Sequence, residues 1–253
     1  MAALAPEILF QIGPLPITNT IVNTILVDTV IIGGALTIKK NIQKIPGLFQ
    51  NIFEMIVEGL YNLTESVAGE NTPKIFPYFI TFFLFILIAN WSGLLPGGES
   101  LGLVHHVGEE NEIASFSRNL TSDLNATLAL ALISLVATHM LSIKKLGVKE
   151  YLSRFFSINP ILLFVGVLEI VSEFTKIISL SFRLFGNIFA GEVVLGTISK
   201  LFAFVFPVPF IFLEIIVGLV QALVFSMLTM AFMSVLMTSH HEEKHTAKEV
   251  SSS

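Results

Sequence analysis

The 253-residue chain has no cysteine. Disulfides, thiolate metal sites and thiol nucleophiles are excluded at once. Charge is scarce: 13% of residues are Asp, Glu, Lys or Arg, and the formal net charge is -5. That balance offers no footing for nucleic acid. There is one tryptophan. No basic segment precedes the first apolar stretch, MAALAPEILF, so no cleavable signal is expected. What remains is apolar: 53% hydrophobic residues and a mean hydropathy of +0.81. Disorder is excluded and a soluble globule is unfavourable. Several uninterrupted apolar runs reach the roughly 20 residues a membrane-crossing helix needs. The expectation is an all-α integral membrane protein, 1–253, forming a single membrane domain.

Taken in order, 1–46 holds an N-terminal segment and a first span over 15–38, which ends at Lys39, Lys40 and Lys44. Asp28 lies inside it, near Thr20 and Asn23, and reads as a helix-paired or snorkelling carboxylate. Pro46 and Gly47 punctuate. Within 47–70, Phe49, Ile52, Phe53, Ile56, Leu60, Leu63 and Val67 keep helical spacing. Gln50, Glu54, Glu58, Asn62 and Glu65 take the other side. This predicts an amphipathic helix lying along the membrane interface. A core of four membrane segments follows in 71–239. The first runs from Ile75 to Leu95 without charge and ends in Asn90-Trp91-Ser92-Gly93-Leu94-Leu95-Pro96, with Trp91 suited to an interfacial belt. Residues 97–122 read as a polar loop. Its His105-His106 pair has no third metal ligand at a credible spacing, so no metal site or cofactor is expected. Thr121-Ser122-Asp123 precedes a span over 124–143, where Asp123 suits a helix cap. His139 near its far end reads as packing.

The next segment opens at Asn159-Pro160, and no proline interrupts it before Pro207. As helix that is roughly 60 Å, against a hydrocarbon core of about 30 Å. Strong tilt is expected, with Gly186 or Gly191 as the break points if the helix breaks instead. Pro207 and Pro209 turn the chain into a last segment over 210–238, and 240–253 reads as a mobile tail.

The long segment contains EIVSEFTKIISLSFRLFGNIFAGE, residues 169–192. Three carboxylates (Glu169, Glu173, Glu192), Lys176 and Arg183 sit in it. Ionisable groups at membrane depth cost a few kcal/mol each and usually face a bundle interior or a water-filled path. Glu169, Lys176, Arg183 and Ala190 fall seven apart, on one helical face. Ser172, Ser179 and Gly186 form a row of small residues beside them, as at a helix–helix seam.

Basic residues in short loops set orientation. Lys39, Lys40, Lys44, Lys144, Lys145, Lys149 and Arg154 belong inside, and the 97–122 loop belongs outside. Five crossings satisfy this, with the N-terminus outside and the C-terminus cytoplasmic. Glu192, Glu214, Asp123 and Asn90 then share an outer vestibule. Glu169, with Glu173, marks an inner one, and Arg183 separates the two. Carboxylates exchange protons and arginine does not. Two titratable half-paths divided by a fixed cation need a moving carrier between them.

Residues 179–192, Ser-Leu-Ser-Phe-Arg-Leu-Phe-Gly-Asn-Ile-Phe-Ala-Gly-Glu, resemble subunit a of the F-type ATP synthase membrane sector. Asn90–Pro96, Thr121–Thr127 and Gln221-Ala-Leu-Val-Phe225 support the resemblance, which runs from about residue 75 to 238. It implies a proton-translocating stator subunit, not an enzyme by itself, in a hetero-oligomeric complex with a ring of c subunits and b-type peripheral-stalk subunits. It implies that Arg183 faces the ring carboxylate, supported by Asn187 and Gln221. Asn90, Asp123, Glu192 and Glu214 would line the outer half-channel and Glu169 the inner one. Gly93 stands where some relatives carry an acidic residue, and Glu192 and Glu214 stand where others have a histidine. A bacterial plasma membrane is expected in preference to a mitochondrial one. A self-contained ion-coupled transporter would show inverted repeats or broken helices, and no internal repeat is present. An intramembrane hydrolase would need a Ser-His or Glu-His pair that the spans lack.

Overall fold

The computed structural model describes residues 8–13, 15–43, 47–94, 102–107, 110–115, 118–155, 160–201 and 207–238. Seven helices carry the fold among them: α1 (Asn19–Asn41), α2 (Leu48–Ala68), α3 (Thr72–Ser92), α4 (Leu124–Leu146), α5 (Val148–Phe155), α6 (Pro160–Leu201) and α7 (Pro207–Met237). Two antiparallel hairpins add to them, β1 (Ile8–Ile12) with β2 (Leu15–Thr18) and β3 (Gly102–Val107) with β4 (Glu110–Ser115). The region expected as an irregular loop over 97–122 therefore contains a hairpin, followed by a short 3-10 turn at Leu120–Ser122. Lys44, Pro46, Pro96, Gly97, Gly98, Glu109, Asn159 and the tail 240–253 lie outside the described residues.

Local chemistry explains the boundaries. α1 starts at Asn19, later than the apolar run, because Leu15–Thr18 pairs as β2 with β1. α2 and α4 stop at Gly69 (φ +51°) and Gly147 (φ +83°), whose N–H groups bond back to Glu65 and Ile143 carbonyls. Asp123 caps α4, accepting from the Asn125 N–H at 2.9 Å. α6 is one continuous helix of 42 residues through Gly186 and Gly191. The alternative of a break at either glycine is not taken: neither has positive φ.

The core lies where α3, α4, α6 and α7 meet. Phe82, Phe83, Ile86, Leu130, Leu184 and Phe225 fill its centre. A second layer holds Ile75, Phe79, Leu141, Met230, Met233 and Met237. Buried hydroxyls join the helices: Ser134 with Thr229 at 2.8 Å, Thr127 with Ser181 at 3.2 Å, and Ser142 to the Leu236 carbonyl at 2.7 Å. Small polar residues serve this purpose where lipid tails give helices no hydrophobic reason to associate. α1 touches the bundle through Val27, against Ala89 and Leu120, and otherwise leaves Ile25, Leu26, Val30, Ile32 and Leu36 exposed.

The contacts fix relative directions. Asn23 of α1 meets Ser92 of α3, and Asn90 of α3 meets Gly218 of α7. Thr127 and His139 of α4 meet Ser181 and Glu173 of α6. α3 and α6 thus run one way, and α1, α4 and α7 the other. Lys39, Lys40, Lys144 and Lys145 gather at one end, where α1 and α4 finish. Four stretches are long and apolar enough to cross a membrane: Asn19–Asn41, Gln50–Ser92, Leu124–Leu146 and Pro207–Met237. α6, with six charged residues along it, is not among them. Along α2, Ile52, Phe53 and Ile56 stay exposed, an apolar face left open by this chain.

Candidate functional site

α6 has a covered side and an open side. Leu180, Ser181, Leu184 and Ile188 are buried against the bundle. Ser179, Phe182, Arg183, Gly186, Asn187 and Ala190 are exposed. Arg183 therefore lies on a face that no other helix covers among the described residues, and its Nη2 donates to Ser179 Oγ at 3.3 Å, one turn earlier. One turn later, Asn187 Nδ2 donates to Gln221 Oε1 of α7 at 2.7 Å. Gln221 is buried (4% exposed), and its Nε2 has no hydrogen-bond partner among the described residues. A buried donor left unmet costs about 1–3 kcal/mol, so this amide pair is one place where the site is not at its stability optimum.

The expected seven-residue stripe divides. Arg183 and Ala190 are exposed, whereas Glu169 and Lys176 are half-buried. Lys176 is covered by its neighbours, reaching Glu173 on its own helix and the Phe232 ring of α7. Ser172, Ser179 and Gly186 are all exposed; within this chain, that row of small residues has nothing pressed against it.

Toward the lysine-bearing end, Glu173 is buried (7% exposed) between α6 and α4. Lys176 Nζ donates to its Oε1 at 2.8 Å, and His139 Nε2 lies 3.7 Å from its Oε2. The Lys176 ammonium also sits 4.6 Å from the centre of the Phe232 ring, a cation–π placement. Tyr151 of α5 and His139 share a 2.8 Å hydrogen bond through the Tyr hydroxyl and Nδ1. A cavity of about 10 Å³, room for roughly one water, is lined by Ser134, Thr138, Glu173 and Lys176 among others. Glu169 lies one turn nearer the start of α6 and is half-buried. No spacing along the chain links His139 and Tyr151 to Glu173, since three separate helices bring them together.

At the opposite end, Glu214 is buried (7% exposed) in α7. A Cβ on Gly191 would stand 2.6 Å from its Oε1; only glycine admits the carboxylate this close to α6, beside half-buried Glu192. One turn along α7, the Gly218 carbonyl accepts from Asn90 Nδ2 at 3.0 Å. Asn90 Oδ1 accepts from Thr121 at 2.7 Å. Asp123 is buried, and its Oδ2 accepts from Thr20 of α1 at 3.4 Å. Asp123 is thus both a helix cap and a buried carboxylate at this end. Trp91 Nε1 donates to the Ile215 carbonyl at 3.2 Å. Thr20 and Asn23, noted in the sequence only as neighbours of Asp28, are the members of this network that no motif contained.

Asp28 is exposed on α1. The large groove of about 700 Å³ between the end of α1 and α2 contains none of the expected site residues.

The chain matches the family model described as ATP synthase A chain over residues 19–234. It is 31% identical over 240 residues to a protein of Moorella thermoacetica named ATP synthase subunit a, covering 95% of this chain and all of that one. With a match across most of its length and an arginine-bearing helix set between two polar ends, this chain belongs to the ATP synthase A chain family.

Proposed function

We propose that this chain is the proton-translocating stator subunit of a rotary ATP synthase, non-catalytic by itself. It works in a hetero-oligomeric complex with a c-subunit ring and b-type peripheral-stalk subunits, embedded in lipid. Two offset aqueous half-channels end on either side of Arg183. The outer one is lined by Asn90, Asp123, Glu192 and Glu214, the inner one by Glu169 and Glu173. Asn187 and Gln221 steady the arginine face.

One observation carries this reading: Arg183 is exposed on the open side of α6, and buried carboxylates lie toward both ends of the same helix. An arginine that only balanced charge inside the bundle would be turned inward. An open arginine can meet a carboxylate on a passing partner. A nearby cation lowers a carboxylate pKa by about 1–3 units, so a ring carboxylate reaching Arg183 gives up its proton inward before it passes. Beyond the arginine it takes a proton from the outer path and turns neutral, which lowers the cost of facing lipid. Each charge crossing 100 mV supplies about 2.3 kcal/mol, so several protons are coupled to each ATP.

Five crossings are formed by α1, α3, α4, α6 and α7, with α2 along the interface. At about 63 Å, α6 must tilt to stay within the bilayer, and α7 follows it back as a tilted hairpin. The lysine-bearing end is cytoplasmic by the positive-inside rule; the N-terminus is outside, and the membrane is a bacterial plasma membrane. A self-contained transporter would place discontinuous helices at its ion site; α6 and α7 are both continuous.

The test is Arg183→Ala in the complete ATP synthase. ATP-driven proton pumping is expected to vanish while the complex still assembles. Normal pumping by the assembled variant contradicts the proposal.

A further inference from the structure

We infer that His139 exchanges protons between Glu173 and water at the inner end of the path, with Tyr151 as the residue that positions its ring. The inference rests on the half-channel reading above and adds to it a side chain from α4 and one from α5.

The geometry is asymmetric in a useful way. Glu173 keeps one oxygen on Lys176 at 2.8 Å, while Oε2 is buried, without a hydrogen bond, and 3.7 Å from His139 Nε2. A hydrogen bond needs roughly 2.7–3.2 Å, so a small rotation of the imidazole closes the gap. The His139 side chain is 21% exposed, against 10% for Glu173. It is therefore the more exposed of the two. Its other nitrogen is held by Tyr151 at 2.8 Å, and Phe155 packs on the tyrosine ring at 5.2 Å. With Nδ1–H donating to the tyrosine oxygen, Nε2 is the free base and points at Glu173. An orienting partner on one nitrogen fixes the tautomer of the other.

Two balanced steps follow. The Glu173 O–H bond breaks as Nε2–H forms, leaving a carboxylate and an imidazolium. Then Nε2–H breaks and the proton joins a water molecule, restoring neutral imidazole. Only protons move, and the Tyr151 bond is unchanged throughout, so no resetting flip of the ring is needed. Reversal of the steps loads Glu173 from the inner side.

The charges around His139 come from α6: Glu173, Lys176 and Glu169. Tyr151 faces it from α5. α7 contributes the Phe232 ring beside Lys176, and its one ionisable residue, Glu214, is at the other end of that helix. Histidine is the side chain whose ordinary charge change lies nearest neutral pH, so exchange through His139 makes proton flow depend on the inner pH.

The experiment measures ATP-driven pumping and passive proton flow in vesicles carrying the complete ATP synthase, with pH varied separately on each side. His139→Gln is expected to lower flow about tenfold and to flatten its dependence on inner pH, leaving the outer-pH dependence as in the wild type. Tyr151→Phe, which keeps the ring packing, is expected to lower flow about threefold and to displace the inner-pH midpoint. Glu173→Gln combined with His139→Gln is expected to lose no more than the worse single variant. A wild-type rate and inner-pH profile in assembled His139→Gln overturns the inference. If His139→Gln does not assemble, Tyr151→Phe decides: an unchanged inner-pH profile overturns it. Arg183→Ala runs alongside. Its normal pumping would sink the half-channel reading, whereas a silent Arg183→Ala with a wild-type His139→Gln would sink only the exchange through His139.

Discussion

The two polar ends of α6 are built from different materials. At the lysine-bearing end, ionisable groups meet directly: Glu173, Lys176 and His139, with Tyr151 behind them. At the other end the hydrogen bonds run through amides and hydroxyls, Asn90 with Thr121 and the Gly218 carbonyl and Thr20 with Asp123, while the Glu214 carboxylate lies against Gly191. A network of amides and hydroxyls holds four helices in register and titrates at no ordinary pH. A cluster of ionisable groups responds to its surroundings. On the half-channel reading proposed above, the first end exchanges protons and the second frames its carboxylates. Arg183 stands between them on the open side.

The comparison is broken most severely at its midpoint. Arg183→Ala removes the barrier both ends depend on and is expected to cut ATP-driven pumping by at least about 10²-fold, read as proton uptake by vesicles. Next in size is Glu214→Gln, which removes the buried carboxylate of the fixed frame. A drop of about tenfold or more is expected in passive proton flow; Glu192→Gln, at a half-buried position, should lose less. Wild-type rates in both single variants would take this pair off the path. Gly191→Ala sharpens the claim. Its methyl would meet Glu214 Oε1 at 2.6 Å, and since that oxygen ends a flexible side chain, the carboxylate moves and the helix stays. Flow should fall several-fold, and Gly191→Ala added to Glu214→Gln should cost little more, because the two changes act on one group. The smallest effect on transport is expected from Asn90→Ala. It strips two buried hydrogen bonds and should destabilise the bundle by about 1–3 kcal/mol, seen as earlier thermal unfolding in detergent. Transport per assembled complex should fall less than in Glu192→Gln, since an amide lines the path without itself taking up a proton.

Much of this was legible in the chain itself. Apolar length located α1, α3, α4 and α7, and the spacing of Phe49, Ile52, Phe53 and Ile56 located the amphipathic α2. The family was legible in 179–192 and was borne out by the match over 19–234. The β3–β4 hairpin was not, because its polar residues show no alternation of apolar side chains to mark a strand. α6 runs unbroken through Gly186 and Gly191, so the alternative of a break at either glycine is not taken. A glycine admits a kink but does not demand one, and Gly191 is used instead for the close approach of Glu214. His139 was read as packing because one helix alone shows only an isolated histidine. Its partners sit 12 and 34 residues away, on α5 and α6, and only tertiary contact reveals them.

The central claim is that the two paths do not join. The chain has no cysteine of its own, so single cysteines can be placed without background in this subunit. Glu214→Cys and Glu173→Cys, in the complete complex in sealed vesicles, should react with a small membrane-impermeant thiol reagent from opposite sides: the first only from outside, the second only from within. Labelling of either position from both sides would mean a continuous wet route past Arg183 and would contradict the account.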